Sequence, residues 1–192
     1  MKGKRNKVRQ FFSLFLAVLI ALGSCIQNSF YAAAETTQNH VVIYEVYGGG
    51  GNKGAAYTND YIVLYNPTDK EVCLDGWSVQ YASAKTTGAF NTANTTALSG
   101  TIGAGKYYLI AEAPGSTTVK ELPAADVTGT VNMGGKAGQV ALVSAVEAIT
   151  GKNDAAVVDF LGWGDGTAQF EGSVGPATTN STAVRRDEKG TD

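Results

Sequence analysis

The sequence predicts an all-β protein built as a sandwich or a barrel, and three observations carry this prediction. Short runs of β-branched and aromatic residues alternate in polarity, as strands with one buried face do. Turn signals made of Gly, Pro, Asn and Asp separate these runs roughly every ten residues, and the 192 residues include 24 Gly. Beyond residue 34 no apolar period of 3.6 residues persists, so little helix is expected.

The strands can be placed by their runs and by the turns that close them. The first is expected over 41–47, where alternation stops at the consecutive glycines Gly48–Gly51. The second is expected over 60–65 and is closed by Asn66-Pro67, a dipeptide that opens turns. Further strands are expected at 71–74, 77–81, 101–102, 106–111, 127–131, 139–144 and 155–162.

Two glycine-rich stretches are candidates for phosphate-binding loops. Gly48–Gly51 is followed by Asn52-Lys53, without the Gly-Lys-Ser/Thr ending and the helix that a P-loop requires. It is therefore predicted to be a flexible loop between strands. The stretch 134–138 fails the same test and is predicted to be a hairpin turn.

The first 34 residues have the organisation of a secretory signal peptide. Five Lys and Arg residues precede the apolar run 11–22, and three alanines end at Ala34. This pattern predicts a cleaved helical leader, cut between Ala34 and Glu35. The apolar run is shorter than the roughly 20 residues of a transmembrane helix. We therefore expect an extracellular protein with no transmembrane segment once the leader is removed.

An alternative fate for the leader involves Cys25. The stretch Leu22-Gly23-Ser24-Cys25 is compatible with lipoprotein processing, which would leave Cys25 lipidated and the protein attached to the cell surface. The alanines before Glu35 fit cleavage better.

Removal of the leader makes the chain clearly acidic. The whole chain has 15 Lys and Arg against 17 Asp and Glu. Without residues 1–34 the balance is 10 against 17, a net charge of about −7. Nucleic-acid binding needs a clustered basic face. No direct binding of DNA or RNA by this segment is therefore expected.

The inventory of reactive side chains argues against an enzyme. After the leader only one cysteine, Cys73, and one histidine, His40, remain. Cys73 is flanked by Val72 and Leu74 and is expected to be a buried thiol. His40 precedes the first strand and is expected to be solvated. Catalytic triads and zinc centres need histidine within the site, so no catalytic residue, metal site or cofactor is assigned.

Oxygen-bearing side chains leave two weaker hypotheses. Paired carboxylates can hydrolyse glycosides, and the candidates are Glu45, Asp60, Asp159 and Asp165, none in a glycosidase context. Calcium prefers oxygen ligands, and its weak candidates are Asn59 and Asp60 at one loop mouth and Asp165 in another turn. Turn and capping roles are favoured for these residues.

A carbohydrate-binding role would require exposed aromatic side chains. The candidates for this role are Tyr47, Tyr57 and Tyr81. Packing within the strands, or partial burial with only the phenol group exposed, is favoured for each.

Five stretches, taken in order, resemble the secreted bacterial lamin-tail domains. The resemblance covers about 40–192, with Val63 where the family tends to carry a second acid and Trp163 where it carries tyrosine. The stretches are 43–46, 60–66, 74–77, 106–110 and 157–164, followed by a similar tail in 170–172, 176–177, 181–185 and 191–192.

The resemblance implies an immunoglobulin-like β-sandwich that has no known active site and binds or tethers at the cell envelope. Expected segments are a leader 1–34, a linker 35–39 and a sandwich 40–192 that is cut short at its C-terminal end. The partner would be a protein, a glycan or an envelope component. The alternative is the N-terminal accessory domain of a larger extracellular nuclease or phosphoesterase, similar to a 5′-nucleotidase, whose catalytic part is missing from this chain.

Overall fold

Two β-sheets packed face to face make up the computed structural model, which describes residues 38–187. These residues hold eleven strands and one three-residue 3-10 helix, Thr92–Asn94. The strands are β1 (Val42–Tyr47), β2 (Asn59–Tyr65), β3 (Val72–Cys73), β4 (Ser78–Ala82), β5 (Thr95–Ala97), β6 (Thr101–Ile102), β7 (Tyr107–Pro114), β8 (Val127–Thr128), β9 (Gly138–Val143), β10 (Val157–Trp163) and β11 (Val184–Arg185).

The topology confirms the immunoglobulin-like β-sandwich. The first sheet has the order β11-β1-β2-β7-β8 and is antiparallel except for the parallel pair β7–β8. The second sheet has the order β10-β9-β4-β5 and is antiparallel throughout. A separate ribbon pairs β3 with β6. The predicted leader helix, the cleavage between Ala34 and Glu35 and the lipidation of Cys25 lie outside the described residues. Among residues 38–187 there is no helix long and apolar enough to cross a bilayer.

The core lies between the sheets and follows the predicted alternation. Ile62 and Leu64 of β2 point inward and are at most 1% exposed, as are Val140 and Leu142 of β9. A smaller apolar cluster, which includes Phe90, Ile149 and Phe160, covers the other face of the second sheet. The second sheet is therefore buried on both faces, whereas the outer face of the first sheet keeps partly exposed side chains.

Two strands of the structure were not predicted from the sequence. β5 (Thr95–Ala97) and β11 (Val184–Arg185) are three and two residues long and lie at sheet edges. Neither run is long enough to show a period of its own. Both exist because a longer neighbour, β4 or β1, supplies their hydrogen-bond partners.

Gly48–Gly51 lies in a loop between strands, β1 and β2, as predicted. The expected flexibility of this loop is wrong, because all four glycines are buried and closely packed. A Cβ on Gly50 would overlap the main chain of Asn59 and Asp60, and one on Gly49 would overlap Asn180. The hairpin turn predicted at 134–138 is also wrong. This segment leads into β9, and β9 pairs with β10 and β4.

Two predictions about single residues also need correction. Cys73 is exposed, because the alternation of β3 turns its side chain outward while Val72 and Leu74 face the core. His40 is only 30% exposed, and its Nε2 atom lies 4.0 Å from a carboxylate oxygen of Asp159.

Asp159 is the buried anchor for both ends of the sandwich. Its Oδ2 atom accepts hydrogen bonds from Arg186 Nη1 at 2.5 Å and from the main-chain N–H of Ile43 at 2.6 Å. Arg186 also donates to the carbonyl of Phe160 at 3.1 Å. Burial alone would raise the pKa of Asp159, but the nearby imidazole of His40 and the interactions with Arg186 and Ile43 hold it below its ordinary value. We name His40, Asp159 and Arg186 the terminal anchor.

Gly50→Ala should destabilise the protein, because the new methyl group has no room against the main chain of β2. Overpacking of this kind costs about 1–3 kcal/mol of unfolding free energy. Urea denaturation followed by tryptophan fluorescence measures this loss. Gly88→Ala is the matched control, because its Cβ would meet nothing within 4 Å. Equal stability of the two variants would contradict the packing described for Gly48–Gly51.

Candidate functional site

Tyrosines are concentrated on the outer face of the first sheet. The chain has nine Tyr, and six of them contact one another in two groups on this face. We define the tyrosine face by the following side chains: Tyr44, Glu45, Tyr47, Tyr57, Tyr61, Tyr65, Tyr107 and Arg185.

Strand pairing arranges this face in three rows across the sheet. The first row joins Tyr47 of β1 to Tyr61 of β2, and the third joins Tyr65 of β2 to Tyr107 of β7. The middle row runs Arg185, Glu45 and Val63 across β11, β1 and β2. Charge therefore lies between two aromatic groups.

A β-bulge in β1 makes this arrangement possible. The register between β1 and β2 shifts between Ile43 and Glu45. Ile43 and Val46 stay in the core, while Tyr44 and Glu45 both face outward. Bulges redirect side chains in this way, and here the bulge adds Tyr44 to the outer face.

The third row, together with Tyr44, forms what we name the tyrosine platform. The ring centroids of Tyr65 and Tyr107 are 4.8 Å apart, and those of Tyr44 and Tyr107 are 5.1 Å apart. Tyr107 is 53% exposed, more than Val119, Val146 or Val174, the other large apolar side chains exposed within 38–187. The platform therefore offers aromatic surface to a ligand.

The first row lines a cleft of about 380 Å³, which we name the tyrosine cleft. Its lining combines aromatic rings with polar groups: Glu45, Tyr47, Ala56, Tyr57, Tyr61, Ser181, Thr182, Ala183 and Arg185. The Tyr47 hydroxyl fixes its floor, donating to the carbonyl of Asn180 at 2.6 Å and accepting from the N–H of Ala56 at 2.9 Å. Tyr57 packs edge-on against Tyr47 and Tyr61. The volume lies within the range of ligand-binding clefts, and the lining offers both rings and polar groups.

Glu45 and Arg185 join the cleft to the platform. Arg185 Nε donates to Glu45 Oε2 at 2.5 Å, and the hydroxyl of Tyr61 donates to the other carboxylate oxygen. Burial and then the bond to Glu45 raise the pKa of Tyr61 well above its ordinary value, so its hydroxyl stays a donor. The guanidinium of Arg185 is 5.6 Å from the Tyr44 ring centroid, and its side chain is 59% exposed. The charges of Glu45 and Arg185 cancel within the pair, while the guanidinium of Arg185 faces solvent.

Another cleft, of about 220 Å³, lies beside β10, between Phe160, Glu171 and Val184. Its lining includes Arg186, which already holds Asp159. It also includes Gly162 and Gly175, and the main-chain N–H of Gly175 donates a hydrogen bond to the carbonyl of Gly162. This lining serves packing, so the tyrosine cleft is the better candidate for a site.

The sequence-based calcium candidates do not meet at one point. The Asn59 amide donates to the carbonyl of Glu112 at 2.8 Å. Both carboxylate oxygens of Asp60 accept main-chain hydrogen bonds, from Gly50 at 2.8 Å and Met133 at 2.7 Å. Asp165 lies exposed in the turn after β10. Within residues 38–187 no group of three His, Cys, Asp or Glu side chains is placed to hold a metal ion.

Asp60 and Glu112 are structural groups of the inner face. Glu112 Oε2 accepts from the N–H of Val131 at 2.9 Å, while Asp60 holds Met133 two residues later. Together they fasten the segment before β9 to the first sheet. Burial raises the pKa of Asp60 from 3.8 to about 6 and raises that of Glu112 as well.

The aromatic candidates chosen from sequence have different positions. Tyr57 borders the cleft and Tyr47 forms its floor, but Tyr81 packs in the core against Trp163. Five residues of the tyrosine face were not predicted from the sequence as parts of a binding surface: Tyr44, Tyr61, Tyr65, Tyr107 and Arg185. For Tyr61 and Tyr65 a signal existed, since both alternate with inward-facing residues of β2. The other three depend on the bulge and on pairing distant in sequence.

An immunoglobulin-like β-sandwich with an aromatic outer face defines the class of this protein. The family model described as Lamin Tail Domain matches residues 34–165, more than half of the chain, and the chain belongs to that family. The lamin tail domain is a non-catalytic immunoglobulin-like domain. No curated protein matches the chain. Strand β11, which contributes Arg185 to the tyrosine face, lies beyond the matched residues.

The stability of the protein should fall as the pH rises from 4 to 7. Asp60 is 2% exposed, and its folded pKa of about 6 exceeds its ordinary 3.8. The contribution of Asp60 to the free energy of unfolding is therefore largest below pH 4. It decreases by about 3 kcal/mol by pH 7, because each unit of pKa difference corresponds to about 1.36 kcal/mol. Glu112 acts in the same direction, and His40, whose pKa is also raised, loses its contribution above its ordinary 6.5. Asp159, whose pKa is lowered, acts in the opposite direction, and its stabilising contribution is lost as the pH falls below its ordinary 3.8.

Urea denaturation across this pH range measures the effect. Asp60→Asn should reduce the loss of unfolding free energy with rising pH, because an amide does not ionise. Asp69→Asn, which changes an exposed carboxylate, should keep the wild-type decline. An equally steep decline in Asp60→Asn would show that Asp60 is not its source.

Proposed function

We propose that this protein is a secreted, non-catalytic module that tethers to the cell envelope through its tyrosine face. The observation that carries the proposal is the outer face of the first sheet, on which six tyrosines flank a charged pair. Tyr107 of the platform and Arg185 of the pair are its exposed members. The second sheet offers no such surface, because the cluster around Phe90, Ile149 and Phe160 covers it.

The tyrosine face fits binding better than catalysis. Its carboxylate, Glu45, is already engaged by Arg185 and Tyr61, whereas a general acid or base must exchange a proton with its substrate. Aromatic residues and arginine are enriched where binding energy concentrates. A binding module needs such a surface and no reactive group.

The pattern of the first 34 residues supports placing the module outside the cell. The basic stretch, the apolar run 11–22 and the alanines before Glu35 are typical of a leader. In the alternative function the same module accompanies a nuclease or phosphoesterase, and an open reading frame continuing past the codon of Asp192 would support it. A stop codon there would favour the tether alone.

Tyr107→Ala should weaken attachment to the envelope roughly tenfold, since loss of a central aromatic contact costs about 1–2 kcal/mol. The measurement is co-sedimentation of the purified secreted protein with washed envelopes of the source organism. Tyr107 is 53% exposed, so the variant should keep its fold. Val146→Ala, at another exposed apolar site, in the loop after β9, is the matched control. Equal sedimentation of Tyr107→Ala and wild type would contradict attachment through the tyrosine face.

A further inference from the structure

We propose that the ligand of the tyrosine face is an uncharged polysaccharide chain, which lies along β2 from the tyrosine platform to the tyrosine cleft. This inference rests on the proposed function and names the ligand class of the same site. Three properties of the face carry it: elongation, mixed aromatic and polar lining, and balanced charge.

The face is elongated in the direction of β2. Tyr61 belongs to the cleft and Tyr65 to the platform, and four residues of an extended strand span about 13 Å. Val63 and the Glu45–Arg185 pair lie between them. Two aromatic ends separated by a polar centre match a chain of several sugar units better than one small molecule.

The lining matches the two kinds of surface that a sugar ring presents. An aromatic ring has a negative face, which attracts the weakly positive C–H groups on the apolar side of a sugar. The exposed Tyr107 and the half-buried Tyr57 supply such rings at the two ends. Sugar hydroxyl groups need donors and acceptors, and Arg185 and the hydroxyl-bearing segment 181–182 supply them.

Charge disfavours an acidic ligand. Without the leader the chain carries a net charge of about −7, and Glu45 balances Arg185 within the site. Lys120 lies over the Tyr57 ring, 5.1 Å from its centroid. These dispersed cations do not form the clustered basic face that a polyanion requires.

A folded protein partner fits the site less well. Protein interfaces place their central aromatic anchors in dry, fully desolvated contacts. On the tyrosine face an ion pair occupies the centre, and Tyr107 is its one strongly exposed large apolar side chain among the described residues. Such a surface is suited to a hydrated, hydroxyl-rich ligand.

Affinity electrophoresis of the purified secreted protein tests the proposal. Native gels would contain xyloglucan, mixed-linkage β-glucan or galactomannan, with polygalacturonate as the acidic polymer. We expect at least one neutral polysaccharide to retard the protein. Tyr107→Ala and Tyr57→Ala should each weaken that retardation roughly tenfold. Tyr107→Phe, which keeps the ring, and Val146→Ala, which lies elsewhere, should retain it.

Chain length gives an independent readout. Calorimetry with oligosaccharides cut from the retarding polymer should show affinity rising with length until both ends of the face are spanned. Tyr57→Ala should abolish the extra affinity of the longer oligosaccharides and leave the affinity for short ones unchanged. Partial unfolding would not produce this effect. An affinity that does not depend on length would contradict the elongated site.

The outcomes separate this proposal from the function on which it rests. If none of the three neutral polysaccharides retards the protein while attachment to envelopes still depends on Tyr107, the ligand class is wrong and the proposed tethering function stands. Retardation by polygalacturonate alone would overturn the uncharged ligand. A wild-type protein that binds neither the polysaccharides nor the envelopes would overturn the proposed function itself.

Discussion

The carboxylate of Asp159 is the interaction on which the rest of this sandwich depends. A charge that is buried must be paired and hydrogen-bonded, and Asp159 finds its partners in Arg186, the main chain of Ile43 and His40. These partners come from the two ends of the described chain, while Asp159 belongs to β10 of the other sheet. The anchor thus holds β11 beside β1 and places Arg185 next to Glu45. The arrangement of the tyrosine face therefore depends on the ion pair between Asp159 and Arg186, which lies on the opposite side of β11.

The two sheets differ in what covers them, and this difference decides where a ligand can bind. Every residue of β4 and β9 is buried, because loops that carry Phe90 and Ile149 close the outer side of the second sheet. No equivalent cover lies over the first sheet within residues 38–187. Its outer side is instead filled by tyrosine rings packed against one another, and Tyr107 is the most exposed of them.

Much of the fold could be predicted from the sequence, because alternation in β2 and the turn signals around it are local properties. The inward-facing Ile62 and Leu64 lie where their period of two places them. The candidate site was harder to predict. Tyr44 joins it through a bulge, and Arg185 through a two-residue strand that pairs across 140 positions of sequence. Likewise, four adjacent glycines look flexible in a sequence, and only the tertiary structure shows the main chain packed against them.

The meeting of residues 40 and 186 at one carboxylate has a mechanical consequence. β1 and β11 run antiparallel, so a pull on these two ends in opposite directions would open their ladder one rung at a time, starting at the terminal anchor. Strands loaded in this unzipping direction resist far less force than strands sheared along their length. Tension between the chain ends would therefore be felt first by the ion pair, then by Arg185 and Glu45. A tether of this design would release its grip under load before its core unfolds.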